Sequence, residues 1–598
     1  MTLRIPIGVD DFRKLRERRL TYVDKSHLVC EILDKVGTEV LLLPRPRRFG
    51  KSVNLSMLRC FFEKSGDDLS PIFEGLHVWQ AGDPYREHFQ RYPVIYLSLK
   101  DTKQSRFEDC WETIRNKIRA LFHEHRALLD GGNLSEYESR DYRAILDGTA
   151  SRALYERSLL DLSQHLHGRH GERVVVLIDE YDEPIHGGYA NGYASEIVGV
   201  CRNLLGAGLK GNPHLFKAVL TGILRVARES IFSGLNNVAA YSLLRTEFST
   251  CFGFTEPEVE ALLRDGDAAE RIEDVRRAYN GYVFGNAVVY NPWSVLSFLA
   301  SEDRRTVGHW VSTSANEMIR DLLIYHALDV RRDIEALLEG GSIERRIDEN
   351  VVLQSLPADQ DALWSLLVFA GYLRAEARPA PLDQALIYRL SIPNGEVREV
   401  YTTTFRTWMQ ARLTGRGASV ERLIKALLGG DAAMLEEQLQ AFVTNVLSYH
   451  DARRLGPEEI YHGFVAGLLA TLEPDYDVRS NRESGDGRPD VLVRPRQAGK
   501  PGAALELKVA RAGRSLQRAL TEGIRQVRDN DYLAELRAGG ASPAHAFAVA
   551  FDGKQVRVRA VEGARAAKTK SAAASRATKT RPTKPATRKP ATKKRAAR

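Results

Sequence analysis

Four short runs in the first 225 residues are apolar almost without interruption: EVLLLP at 39–44, PVIYLSLK at 93–100, RVVVLIDE at 173–180 and HLFKAVLTG at 214–222. Such runs predict central parallel strands covered on both faces. Between them the period changes. In SVNLSMLRCFFEK (52–64), Val53, Leu55, Leu58, Phe61 and Phe62 recur at roughly helical spacing. Strand, helix, strand in repetition predicts an open α/β sheet. After residue 245 the pattern shifts. FTEPEVEALL (254–263) reads as a helix start, with Thr255 as N-cap, Pro257 in the first turn and Glu258 three residues on. AYNGYVFGNAVVYNPWSVLSFL (278–299) is rich in turn residues and reads as a hairpin-like piece. Residues 300–450 are mostly helical in period, with one mixed section, 363–401, read as a small helix-plus-hairpin unit of winged-helix type. From about 455 to 555 the α/β pattern returns. It comprises a helix EEIYHGFVAGLLATL, strands near 476–482, 490–495 and 503–510, a helix at 515–535 and a last strand AHAFAVAFD.

Length and composition fit this division. A chain of 598 residues has room for roughly three or four domains. Hydrophobic residues make up 43% and charged residues 27%, as in an ordinary globular protein able to bury a good core. The net charge is +8, but residues 561–598 hold 13 Lys/Arg against one acid, Glu562, and contribute +12. The remaining chain is therefore at −4, so the basic character belongs to the tail alone. That tail is low-complexity Ala/Lys/Thr/Pro and is expected to be disordered. Five scattered cysteines without a C-x-x-C pair exclude the usual zinc and disulfide frameworks and suit a reducing compartment. No apolar signal region opens the chain, and no run reaches the ~18 apolar residues of a membrane span. Cytoplasm is the expected location, with no membrane partner.

The segment after the first strand run, RPRRFGKS (45–52), carries the first candidate chemistry. Gly50, Lys51 and Ser52 fit the second half of the phosphate-loop pattern G-x-x-x-x-G-K-[ST], while Arg45 stands where its first glycine belongs. The loop follows a buried-type strand and begins an amphipathic helix, whose N-terminal N–H groups favour an anion. Lys51 could reach the outer phosphates and Ser52 could bind Mg²⁺. The run VVVLIDEYDE (174–183) adds two adjacent acids at a strand tip. Asp179 would hold Mg²⁺, usually through water, and Glu180 would polarise the attacking water, as in ATPases with their own catalytic glutamate. Thr221, at the end of the next strand, could sense the terminal phosphate. Arg225 could contact it too, though a surface or ion-paired arginine is an equal reading. Gly-Lys-Ser alone, or Asp-Glu alone, would be an even choice between a site and an ordinary helix start or strand end. Their order and context favour nucleotide binding, with ATP as the ligand.

A second constellation lies in RESGDGRPDVLVRPRQAGKPGAALELKVA (482–510). Strands 490–495 and 503–510 should form a hairpin across RQAGKPG-type turn residues. Period two puts Glu506 and Lys508 on one face, and the hairpin brings Asp490 close to them. Two carboxylates can bind Mg²⁺ or Mn²⁺, which activates water and stabilises charge on a phosphodiester. Lys508 would position the nucleophile or neutralise developing charge. The bland alternative is an exposed strand ion pair worth little.

FRKLRERRLTYVDKS (12–26), LPRPRRFGKSVNLSML (43–58), LIDEYDEPI (177–185), LTGILRVARESIFSGLNN (220–237), YNGYVFG and YNPWS together resemble an AAA-ATPase-like family of bacterial proteins with a C-terminal PD-(D/E)xK nuclease-like domain. The resemblance covers almost all of the chain except the tail. It implies that an arginine-rich R-P-R-R-F-G-K-[ST] loop is the norm and not a decayed one. It also implies an α/β P-loop NTPase with a parallel sheet (1–245), a helical middle region (246–450), a restriction-endonuclease-like αβββαβ domain (451–557) and a basic tail (558–598). On the nuclease core, the family pattern makes Glu459 the leading third metal ligand, with Glu458 a near rival. Gln526 takes the place of a helix glutamine, and Tyr532 is its companion. Asp486 and Arg488 read as structural, as does His462. Tyr22, Asp24 and Lys25 of YVDK either meet the base or cap the sheet, the latter slightly preferred.

The resulting expectation is an ATPase and Mg²⁺-dependent nuclease acting on nucleic acid, with DNA the expected polymer and ATP controlling cleavage. The rival is an ATP-driven nucleic-acid-binding switch whose nuclease fold is inert. An oligomer is compatible with either. The tail would bind polyanions without sequence preference, and lacks aromatic residues for base stacking.

Overall fold

The computed structural model describes residues 3–562 apart from 131, 133, 224–236, 310–329, 339, 350–358, 379–385, 414–419, 447–464, 466–468, 470–471, 473–474, 481–488, 511–514 and 553–554. The chain forms two compact units. One is Met1–Val420 with Gly463–Glu473, the other Glu421–His462 with Pro474–Arg598. Among the described residues no helix is long and apolar enough to cross a membrane. All five cysteines are free.

In the first unit the four apolar runs become β1 (Val40–Pro44), β2 (Val94–Ser98), β3 (Val174–Asp179) and β4 (Leu215–Gly222). Every residue of β1 and β3 is buried, as expected of strands covered on both faces. A fifth strand, β5 (Val238–Ala240), joins at the edge, and the parallel sheet has the order β2-β3-β4-β1-β5. Three half-buried residues give no periodic signal, which is why β5 escapes the hydrophobic pattern. Because β4 lies between β1 and β3, their C-terminal ends come together: Leu43 is paired with Thr221, and Ile178 with Leu220. The helix Lys51–Phe62 follows β1 and buries Leu55, Met57, Leu58, Phe61 and Phe62. The helices Arg152–His170 and Ala194–Leu209 pack closely, since a Cβ on Gly208 would stand 2.7 Å from that of Leu159.

The middle of the chain follows its local signals. Thr255 and Glu258 form the expected capping box at the start of the helix Glu256–Asp265. Strands β6 (Tyr282–Phe284) and β7 (Ala287–Val289) make the hairpin, turning at Gly285 with φ 56. The helix Gln360–Phe369 precedes β9 (Arg374–Ala377) and β10 (Ile387–Ser391), as the helix-plus-hairpin reading requires. The structure adds β8 (Ile343–Arg346), giving the antiparallel order β8-β10-β9. Trp364 is fully buried in the same core as β1 and β3.

The second unit holds a mixed sheet of β11 (Tyr476–Ser480), β12 (Val491–Pro495), β13 (Gly502–Val509), β14 (Ala544–Asp552) and β15 (Gln555–Ala560), in sequential order. Only the β13–β14 pair is parallel. It is the crossover served by the helices Leu516–Asp529 and Tyr532–Ala538. The single helix expected at 515–535 is thus two, broken at Asp531 in the left-handed region, φ 43. The outer edge of β15 meets the helix Ala432–Val446. Val558 N donates to Glu436 Oε2 at 2.7 Å and Val556 N to Gln440 Oε1 at 2.9 Å. Most of the helix expected before β11, and the basic tail beyond residue 562, lie outside the described residues.

Candidate active sites

Strand β1 delivers the loop 45–50 to the head of the Lys51–Phe62 helix. Gly50 is the residue before that helix, with φ 82, a backbone that glycine adopts without strain. Two of the predicted side chains converge on Asp179 at the tip of β3. Ser52 Oγ donates to its Oδ2 at 2.6 Å and Thr221 Oγ1 to its Oδ1 at 2.6 Å. A carboxylate held between two hydroxyls at a loop–helix junction is an oxygen-rich donor set suited to Mg²⁺. Lys51 is buried, and its Nζ donates to Arg45 O (3.1 Å) and Pro46 O (3.0 Å). Burial pushes its ammonium down, against the pull of Glu180 and Asp179. Glu180 adopts φ 53, the kind of backbone strain that persists at functional sites. Burial pushes its carboxyl up to about 7, offset by Lys51 and reinforced by Glu183 and Asp179. Arg225 lies outside the described residues.

The departure at the first glycine position has a structural explanation. Arg45 is fully buried and turns away from the phosphate side. Its Nη1 donates to Pro44 O (2.8 Å) and Tyr241 O (2.7 Å), and its Nη2 to Phe248 O (3.1 Å). The guanidinium lies 5.0 Å from the ring of Phe252 and 5.4 Å from that of Phe284. Burial pushes it down to about 10, so it stays charged at neutral pH. Arg45 thus pins the loop after β5 against the root of the phosphate loop. Arg45→Met would strand three carbonyls without a donor, at a cost of about 3 kcal/mol. The expected result is a thermal transition several degrees lower, with Arg45→Lys failing to restore it because one ammonium cannot span the same carbonyls. An unchanged transition in Arg45→Met would refute the strut.

A cavity of about 460 Å³ opens beside the loop. Arg47, Arg48, Lys51, Ser52 and Glu180 line one part, and Tyr22, Val23, Lys25, Phe254 and Trp293 another. Asp24 takes no part in the lining. Its carboxylate accepts from Ser26 N (2.8 Å) and His77 N (2.7 Å), a local structural role. Lys25 pairs with Glu258 at 2.7 Å and donates to Thr250 O at 3.0 Å, tying the N-terminal segment to the capped helix Glu256–Asp265. The YVDK segment therefore both braces the unit and walls the cavity.

In the second unit, β12 and β13 pair antiparallel, with Val491 opposite Leu505, so Asp490 and Glu506 meet at the hairpin's open end. Leu507 N donates to Asp490 Oδ2 at 2.7 Å. Glu506 is fully buried, with Lys508 Nζ on Oε1 at 2.7 Å and Tyr532 OH on Oε2 at 2.8 Å. Burial pushes its carboxyl up and Asp490 pushes it further, while Lys508 and Tyr532 hold it down. Two carboxylates raising one another's cost of ionisation are the arrangement a divalent cation relieves. Asn530 and Gln526 both stabilise the ionised form of Tyr532, although burial, the larger effect, raises its phenol. Glu458, Glu459, His462, Asp486 and Arg488 lie outside the described residues.

Residues 6–232 match a family model described as predicted AAA-ATPase, and residues 456–561 match the PD-(D/E)XK nuclease superfamily. The chain joins an AAA-ATPase-like domain to a nuclease-like domain. It is also similar to a protein of Azotobacter chroococcum mcd 1 described as an uncharacterized protein in the vnfD 5' region. The two are 28% identical over 565 residues, covering 92% of this chain and 96% of the other. The parallel sheet and the mixed sheet are those expected of a P-loop ATPase-like and a PD-(D/E)XK-like domain.

Three residues lining the cavity beside the phosphate loop were not legible as site residues in the sequence: Arg47, Arg48 and Trp293. The arginines belong to the loop RPRRFGKS, where only their greater exposure distinguishes them from Arg45. In the sequence Trp293 belongs to a hairpin-like piece and to the YNPWS motif; it is the second residue of the helix Pro292–Ala300, and Arg48 lies 4.1 Å from its ring centroid.

Proposed function

We propose that the ATPase-like domain binds and hydrolyses Mg²⁺-ATP and that the nuclease-like domain cleaves DNA with Mg²⁺ or Mn²⁺ under its control, in the cytoplasm. The observation that carries the nuclease reading is the convergence of Asp490, Glu506 and Lys508 from three positions of one hairpin. Carboxylates and lysine meet at a strand end, with Tyr532 fixing the rotamer of Glu506. A divalent ion held by Asp490 and Glu506 would supply Lewis acidity toward the phosphodiester. Lys508 would balance negative charge developing at phosphorus. In the ATPase-like domain Gly50, Lys51 and Ser52 would cradle the phosphates, and Asp179 with Ser52 would hold Mg²⁺. Glu180 would take a proton from water, with Thr221 fixing Asp179. Glu459, Arg225 and the basic tail are proposed to add a metal ligand, a phosphate contact and nonspecific DNA affinity.

Control by ATP is tested by following cleavage of plasmid and linear DNA with Mg²⁺ or Mn²⁺, with and without ATP, in wild type and Lys51→Ala. Cleavage that responds to ATP in the wild type only is the expected result. Cleavage indifferent to ATP would remove the gating. ATP binding without cleavage of any substrate, including single-stranded DNA and RNA, would favour the inert-fold switch.

A further inference from the structure

Arg47 and Arg48 face the cavity, and neither makes an ion pair among the described residues. Arg48 is exposed, and its backbone is left-handed, φ 68, a conformation that costs a non-glycine residue energy and recurs where function demands it. Its guanidinium rests 4.1 Å from the centroid of the Trp293 ring. Trp293 itself lines the cavity, as do Lys51, Ser52 and Glu180. Partial desolvation on the Trp293 side and the neighbouring Arg47 charge weigh against the Arg48 cation, and Glu180 favours it. Arg48 is therefore a cation with no carboxylate partner among the described residues, beside Glu180 and the phosphate loop, seated on an aromatic face. A cation–π seat is weaker than the forked, charge-assisted hydrogen bonds a guanidinium makes to phosphate.

We propose that Arg48 binds the terminal phosphate of a nucleoside triphosphate, exchanging its seat on Trp293 for phosphate oxygens, so that the helix beginning at Pro292 senses triphosphate against diphosphate. The proposal rests on the nucleotide reading above. It makes the loop supply in cis the arginine that stabilises charge on a transferred phosphoryl group. A triphosphate reaches Arg48, and a diphosphate does not.

The test is calorimetric titration of the full chain with Mg²⁺-ATP and Mg²⁺-ADP, for wild type, Arg48→Ala, Arg48→Lys and Lys51→Ala. Arg48→Ala is expected to weaken ATP by about tenfold or more and ADP by less than about threefold, with Arg48→Lys intermediate. Retained ADP binding shows that the variant is folded. Indole emission, with the share of Trp293 identified from Trp293→Phe, should change on saturation with ATP in the wild type and stay constant in Arg48→Ala. Equal losses of ATP and ADP, or no loss of either, would overturn the proposal, since Arg48 would then only shape the loop or do nothing. A wild type that binds neither nucleotide, or a Lys51→Ala protein that binds as well as wild type, would instead bring down the nucleotide reading and this proposal with it.

Discussion

Glu506→Gln is expected to lower metal-dependent DNA cleavage by roughly 100-fold to 1,000-fold, the scale seen when one charge-stabilising group leaves an active site. The substitution keeps the shape of a fully buried side chain and can still accept from Tyr532. What it removes is the negative charge shared with Asp490 and neutralised by Lys508 at 2.7 Å. Lys508→Ala should fall by a similar factor for the complementary reason, leaving Glu506 buried without its cation. Tyr532→Phe should cost less, because it releases one hydrogen bond and leaves all charges in place. Single-turnover cleavage of linear DNA under Mg²⁺ and then Mn²⁺, with chelator as the zero, ranks the three. Equal activity in Glu506→Gln and wild type would place the chemistry elsewhere.

Glu180→Gln is expected to abolish ATP turnover, by about 100-fold or more, while leaving ATP bound, since a general base contributes about 10²–10⁴-fold to rate. Among the described residues no hydroxyl donates to Glu180 as Ser52 and Thr221 do to Asp179, and Glu180, with its left-handed backbone, lines the cavity. Asp179→Asn should behave differently: it disturbs the hydrogen bonds to Ser52 and Thr221 and the Mg²⁺ ligand together, so affinity as well as rate should drop. Phosphate release and nucleotide affinity measured on the same preparations separate the two. Loss of ATP binding in Glu180→Gln would show that the residue holds the loop and does not act on water.

The parallel sheet was readable because β1 to β4 are apolar almost throughout and the helices between them keep a clear period, whereas β15 (Gln555–Ala560, QVRVRA) lies beyond the last strand the pattern marks. β5 and β8 were not readable, because three or four residues with polar neighbours carry no period at all. The split at Asp531 was hidden for another reason: the apolar pattern runs through it, and only a left-handed backbone at one residue ends the first helix. At the candidate nucleotide site, Ser52, Asp179 and Thr221 were legible from their places at strand and helix ends, which topology brings together. The roles of the loop arginines were not. Arg45, Arg47 and Arg48 are chemically identical and nearly adjacent; one is a core strut and two face the cavity, and that depends on contacts with Tyr241, Phe248 and Trp293 about 200 to 250 residues away in the chain. At the nuclease-like site the hairpin register alone sufficed to place Asp490 against Glu506.

The helix Ala432–Val446 spends Glu436 and Gln440 on the free amides of β15. The amides of Val556 and Val558 are thereby closed to a foreign strand on that side of the mixed sheet. Extension of the mixed sheet by a second copy would fall to β11, on the opposite border. A chain opened by removing the helix would expose a new adhesive border, so truncation at the helix should yield soluble aggregates well before it yields a smaller working nuclease.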